Sequence, residues 1–74
     1  MTPVQCKMAR AATGLSMIEL AERAKISTNT IVRFERGEAT RSRTVDAIKA
    51  VFEAAGIIFT NGDEPGVKLR KGKP

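Results

Sequence analysis

The stretch Leu15-Ser16-Met17-Ile18-Glu19-Leu20-Ala21-Glu22-Arg23-Ala24-Lys25-Ile26-Ser27-Thr28-Asn29-Thr30-Ile31-Val32-Arg33-Phe34-Glu35-Arg36-Gly37 decides how this chain folds. Ser16 is placed to cap a helix, and Glu19 three residues later completes a capping box. Leu15 and Leu20 flank that cap at the spacing of a hydrophobic staple. The pattern then repeats: Ser27 caps, Ile26 and Ile31 staple, and Gly37 stands where a glycine closes a last turn. The spacing predicts one helix near 17–24 and another near 28–36, with a three-residue turn between them. Two helices so short cannot lie antiparallel across so brief a turn. They cross steeply, as in a helix-turn-helix, and one face of the second helix stays outside.

Winding 28–36 at about 3.6 residues per turn sends Ile31 and Phe34 toward a core. Asn29, Arg33 and Arg36 point away from it, and Thr28 stands at the open N-terminus. Amide, hydroxyl and guanidinium groups are the ones that read base edges and grip phosphates, although a solvated polar face has the same composition. Glu35 lies only about 40° from Ile31 and so leans inward. A carboxylate there requires a partner, because an unpaired buried charge is costly. Arg10 is the candidate, tying the first helix to the third.

Ala9-Arg10, Gly14-Leu15-Ser16, Glu19-Leu20-Ala21, Ile26-Ser27, Ile31, Phe34-Glu35 and Gly37, followed by a helix with Val45, Ile48 and Phe52, resemble the phage-repressor (Cro-like, or xenobiotic-response-element) family of helix-turn-helix domains. The resemblance spans residues 9–55. It implies a lambda-repressor-like helical fold, a dimer on DNA and a regulatory role. It also implies that an arginine of the first helix pairs with the glutamate ending the third, which supports Arg10–Glu35. Arg41 and Arg43 match basic positions that approach the DNA backbone, one of which can enter the minor groove. One departure stands out: Lys25 occupies the turn where the family usually has glycine. Lysine there must bear a left-handed conformation at a cost of about 1 kcal/mol or relax the turn.

Outside this segment, Thr2 and Gln5 form another capping box around Pro3, predicting a first helix over 3–13 that ends at Gly14. That helix carries two apolar stripes, Val4–Met8–Ala11–Ala12 and Cys6–Ala9. Periodicity does not choose between them; the resemblance favours Cys6–Ala9–Arg10 as the inner side. Residues 38–42 read as a linker and 43–55 as a fourth helix ending at Gly56. Its apolar surface exceeds the usual stripe, so something beyond the helical core must cover part of it. Ile57-Ile58-Phe59-Thr60 and Val67-Lys68-Leu69-Arg70 predict a β-hairpin around a loop from Asn61 to Gly66. A lone hairpin is only marginally stable, so it packs on the first or fourth helix or on a second copy. The reading divides the chain into a helix-turn-helix domain at 1–56, a hairpin for packing or dimerisation at 57–71, and a frayed tail at 72–74.

Composition narrows the function. Seventy-four residues make one small domain with little room for a substrate cleft. The net charge is +5, as suits a polyanionic partner. Three Phe with neither Tyr nor Trp disfavour single-strand binding by stacking. Histidine is absent, so the single cysteine lacks an obvious base, and neither metal-ligand spacing nor a glycine-rich phosphate loop is present. The expectation is no enzyme, no cofactor and no metal. One cysteine, no membrane-length apolar run and no signal-peptide block point to the cytoplasm.

The resulting expectation is a mainly α, four-helix helix-turn-helix domain with a C-terminal β-hairpin, binding double-stranded DNA as a homodimer on a near-palindromic operator. Ser27, Thr28, Asn29 and Arg33 are the base-contact candidates; Ser16, Thr30, Arg36, Arg41 and Arg43 are those for phosphate or minor groove. The acids Glu19, Glu22 and Glu38 must then lie away from Arg33. The alternative is a module that keeps the fold and binds a partner protein instead of DNA.

Overall fold

Thr2, Ser16 and Ser27 each turn extended chain into helix. All three hold β-region backbone, and their hydroxyl oxygens accept from the backbone N–H groups of Gln5, Glu19 and Thr30. At the first two the cap is reciprocal: Gln5 Oε1 accepts from Thr2 N–H at 2.8 Å, and Glu19 Oε1 accepts from Ser16 N–H at 2.9 Å. The computed structural model describes residues 1–61 and 65–70. Along these the order is α1 (Pro3–Thr13), α2 (Met17–Ala24), α3 (Thr28–Glu35), α4 (Ser42–Ala54), β1 (Ile57–Thr60) and β2 (Gly66–Leu69).

The terminations follow the left-handed positions. Gly14 closes α1 at φ 76°. Gly37, at φ 89°, closes α3 with two bonds: its own N–H to Phe34 O at 2.9 Å, and Glu38 N–H to Arg33 O at 3.1 Å. Lys25 takes φ 59°, ψ 44° at the end of α2, so the lysine bears the strained conformation and the turn keeps a glycine-like shape. α4 starts and ends one residue earlier than its sequence pattern predicts. Arg41 occupies the capping position without a side-chain cap, and Ser42, which reads as linker, is already helical.

Leu20, Ile31, Ile48 and Phe52 are fully buried where α2, α3 and α4 meet. Cys6 and Ala9 bring α1 against them, both at 0% exposure, while Val4 and Met8 remain 57% and 40% exposed. Small residues on the inner side let α1 approach closely. Of the two apolar stripes on α1, Cys6–Ala9 is therefore the inner one.

The hairpin pairs antiparallel, with Ile57 opposite Leu69 and Thr60 opposite Gly66, so β2 begins one residue before the predicted Val67. It packs within the chain, β2 on α1 and β1 on α4. Ile57 enters the core at 2% exposure, and Phe59 meets Phe52 edge-to-face at 6.2 Å. Gln5 ties the two ends of the fold together. Its Nε2 donates to Thr60 O at 2.8 Å and to Gly66 O at 2.9 Å, so one buried amide both caps α1 and seats the hairpin. The predicted loop residues Gly62, Asp63 and Glu64, the last predicted hairpin residue Lys71, and the predicted tail from Gly72 to Pro74 lie outside the described residues. No helix among the described residues is long and apolar enough to cross a membrane.

Candidate nucleic-acid interface

α3 is anchored from beneath by a buried ionic cluster. Glu35 is 5% exposed. The Arg10 guanidinium grips it with two bonds, Nε to Oε2 at 2.7 Å and the terminal nitrogen to Oε1 at 2.8 Å. Cys6 Sγ donates to the same Oε2 at 3.3 Å. Burial alone would raise the Glu35 carboxyl, but the hydrogen bonds from Arg10 and Cys6 outweigh it and hold the group below the ordinary glutamate value. Burial, together with the bond to and charge of Glu35, pushes the Cys6 thiol up to about 12. At that value the thiol is a hydrogen-bond donor at neutral pH rather than a nucleophile.

Above this anchor the outer surface of α3 is open. Asn29 and Arg33 are exposed, Thr28 and Thr30 are half-buried, and Ser27 is exposed at the cap. Two hydroxyls here already interact: Ser27 Oγ and Thr30 Oγ1 lie 2.8 Å apart, and Ser27 Oγ accepts from Thr30 N–H at 3.2 Å. One hydroxyl proton of the pair stays free for an outside acceptor. Ser16, exposed at the start of α2, is in the same position. Its oxygen accepts from Glu19 N–H at 3.1 Å, and its proton remains available.

The connection from α3 to α4 adds positive charge. Thr30, Arg33, Thr40, Arg41 and Thr44 surround a polar concavity of about 320 Å³. Arg41 and Arg43 are exposed at the N-terminus of α4, whose first turn has no acidic residue. The helix-terminal N–H groups and the guanidiniums therefore add fields of the same sign. Thr40 and Thr44 do not stand out in the sequence as site residues. Only their position after α3, at the start of α4, hints at them.

The other candidates are more scattered. Arg36 is exposed and reaches Glu38 at 3.4 Å, a weak surface pair. Ser16 belongs to a different helix start and does not line the concavity. Among the described residues Arg33 makes no ion pair; of the acids expected to lie away from it, Glu38 adjoins it through the backbone, its N–H donating to Arg33 O, while its carboxylate pairs with Arg36. Nor do the described residues hold a cluster of three metal-ligating side chains.

A helix-turn-helix family model matches residues 7–57, from the first turns of α1 into β1. The match covers the helices capped by Ser16 and Ser27, the anchor residues Arg10 and Glu35, and the α3–α4 connection. Among curated proteins none matches the chain.

Proposed function

We propose that this chain, which belongs to the Cro/C1-type helix-turn-helix family of DNA-binding regulators, reads a specific double-stranded operator as a homodimer and controls transcription by occupying it. The observation that carries the reading is the open outer face of α3, with Asn29 and Arg33 exposed and Arg33 beside Arg41 around one concavity. In this reading α3 enters the major groove. Arg33 bonds a guanine edge, Asn29 an adenine edge, and the Thr28 methyl packs on thymine. Ser27 contributes its hydroxyl, with Thr30 Oγ1 then donating in their mutual bond. Ser16, Thr30, Arg36, Arg41 and Arg43 hold phosphates, with Arg41 or Arg43 able to reach the minor groove. Two copies place their α3 helices about 34 Å apart on a near-palindromic site. The protein works in the cytoplasm, where the DNA is, and needs no chemistry beyond binding.

The test is selection of binding sites from random duplex DNA, followed by titration of the selected site. Binding is expected to weaken steeply with salt, because phosphate contacts release counterions. Arg33→Ala is expected to lose about 1–3 kcal/mol of discrimination at one base position. Arg43→Ala is expected to weaken all duplexes alike and flatten the salt slope by about one. If selection enriches no sequence over a random mixture, operator recognition is wrong. If both arginine variants leave DNA binding untouched, the protein-interaction reading replaces it.

A further inference from the structure

Val32 is an apolar residue set into the polar face of α3. By winding it lies about 40° from Thr28 on one side, about 40° from Arg36 on the other, and about 60° from Asn29. The inward positions of the helix are taken by Ile31, Phe34 and Glu35, all buried. Val32 is half-buried, yet the core is not what covers it. Every other half-buried Val, Ile, Met or Phe among the described residues packs on the buried core, Met17, Ile26 and Val45 among them; Val32 does not. Its neighbour one turn back is Thr28, also half-buried, so the carbon side of a threonine and the two valine methyls adjoin on the helix surface. On a face that met only water, valine would be a poor choice. Its branched Cβ lowers helix propensity, and its methyls gain nothing from solvent.

We propose that Val32 reads the C5-methyl group of a pyrimidine in the major groove, so that one operator position accepts thymine or 5-methylcytosine and disfavours unmethylated cytosine. The inference deepens the operator reading above and rests on it. Two arguments carry it. The first is the chemistry of base edges. In the major groove the bases present hydrogen-bond donors, acceptors and one apolar group, the C5-methyl of thymine. Valine has neither a donor nor an acceptor in its side chain. The methyl is therefore the feature it gains by touching, and it is blind to whether the exocyclic group next to that methyl is O4 or N4. The second is rigidity. Valine in a helix holds essentially one χ1 rotamer, and α3 beneath it is fixed by its buried residues and by the Arg10–Glu35 pair. The two methyls are presented without much entropy left to lose. Burying one methyl against them corresponds to about four-fold in affinity. Asn29 and Arg33 then read hydrogen-bonding edges while Val32 reads methylation. An enzyme that methylates cytosine at C5 would thereby tune occupancy of the site with no ligand domain in this chain.

The test is titration of the full chain with its selected duplex, in which each thymine of one half-site is replaced in turn by deoxyuridine, which lacks only the methyl. At one position the wild type is expected to lose about four-fold, and Val32→Ala is expected to bind thymine and uracil alike there. With a C·G pair at that position, C5 methylation should strengthen wild-type binding about four-fold and leave Val32→Ala unchanged. Val32 lies off the core, and circular dichroism and thermal melting check that the variant keeps its fold. Thr28→Ser removes the neighbouring methyl and should leave the gap at the Val32 position open. A wild type indifferent to uracil at every thymine, a Val32→Ala protein that keeps the full uracil penalty, or a 5-methylcytosine that gains nothing over cytosine overturns the proposal. If a site is selected and Arg33→Ala acts at its own base pair while those gaps are missing, the Val32 reading falls alone. If no duplex is selected, the operator reading falls and takes this one with it.

Discussion

Arg10→Met isolates what the buried pair contributes, and it should invert the pH dependence of stability. In the wild type Glu35 titrates below its unfolded value of about 4.3. The pair's contribution is therefore fully present above that value and is lost as pH falls through the lower, folded one. Methionine fills much of the arginine's volume but removes both guanidinium bonds. Glu35 then keeps its burial at 5% exposure and a single thiol donor. Desolvation takes over and lifts its pKa above the unfolded value. The variant is then most stable in acid, below about pH 4, and loses stability as pH rises through the raised value.

Removing one partner of a buried pair costs about 3–5 kcal/mol. The Arg10 side chain keeps 24% exposure, so water can enter the vacated side, and about 2–4 kcal/mol is expected near neutral pH. A domain of this size holds roughly 4–11 kcal/mol in all. The melting point should fall by about 10 °C or more. Urea unfolding followed by circular dichroism, repeated from neutral pH down to about pH 4, should show the deficit shrinking on acidification. Adding Glu35→Met should recover most of it, because apolar residues replace a buried ion pair well. A deficit under about 0.5 kcal/mol at neutral pH, within the range of ordinary surface changes, or one that does not vary with pH, would refute the reasoning.

Two further substitutions probe the backbone and the hairpin. Lys25→Gly removes a left-handed penalty of about 1–2 kcal/mol and adds up to about 1 kcal/mol of glycine chain entropy. The net expectation is a rise in melting point of a few degrees, read by calorimetry; a fall would mean that Lys25 makes a contact worth more than its strain. Gln5→Met deletes the α1 capping acceptor and both donors to the hairpin. It should cost about 2 kcal/mol, and amide exchange should speed up first at Ile58 and Lys68, whose pairing holds the two strands together.

Much of the fold was legible because its signals are local. Each of the three caps involves residues three apart, and Gly14 and Gly37 mark helix ends by a backbone preference that few other residues share. Glu35 was legible for a different reason. A charged residue wound toward the core is a contradiction that only a partner resolves, and Arg10 is the partner the structure supplies. Gln5 was only half legible. Its capping role uses Oε1 within one turn, but its Nε2 bonds two carbonyls more than fifty residues away. A backbone carbonyl leaves no side-chain signature to read. Periodicity alone could not choose the inner side of α1, because both stripes are apolar; the resemblance favours Cys6–Ala9, and the structure buries that side. At the candidate interface, the outward placement of Asn29 and Arg33 could be read from winding alone, whereas the grouping of Arg33, Thr40, Arg41 and Thr44 depends on the angle between α3 and α4.

That angle is where the two buried polar residues matter most. The inner side of α1 consists of small groups, Cys6 and Ala9, packed on Leu20, Ile31 and Phe52. Small apolar contacts favour closeness but are nearly indifferent to rotation or sliding. Hydrogen bonds are not, since they weaken steeply with misalignment. Arg10–Glu35 fixes α1 against the last turn of α3, and Gln5 fixes the start of α1 against the hairpin. α1 therefore links the outward face of α3 to Leu69 and to its own exposed stripe of Val4 and Met8. If two copies read one operator, the angle at which each presents its α3 is set by bonds with defined direction rather than by the softer core. Loosening Arg10–Glu35 should then blur the preferred spacing of operator half-sites before it abolishes binding to a single half-site. Site selection with Arg10→Met at a temperature where it stays folded would show this as a broader distribution of half-site spacings. An unchanged distribution would mean that the apolar packing alone sets the orientation.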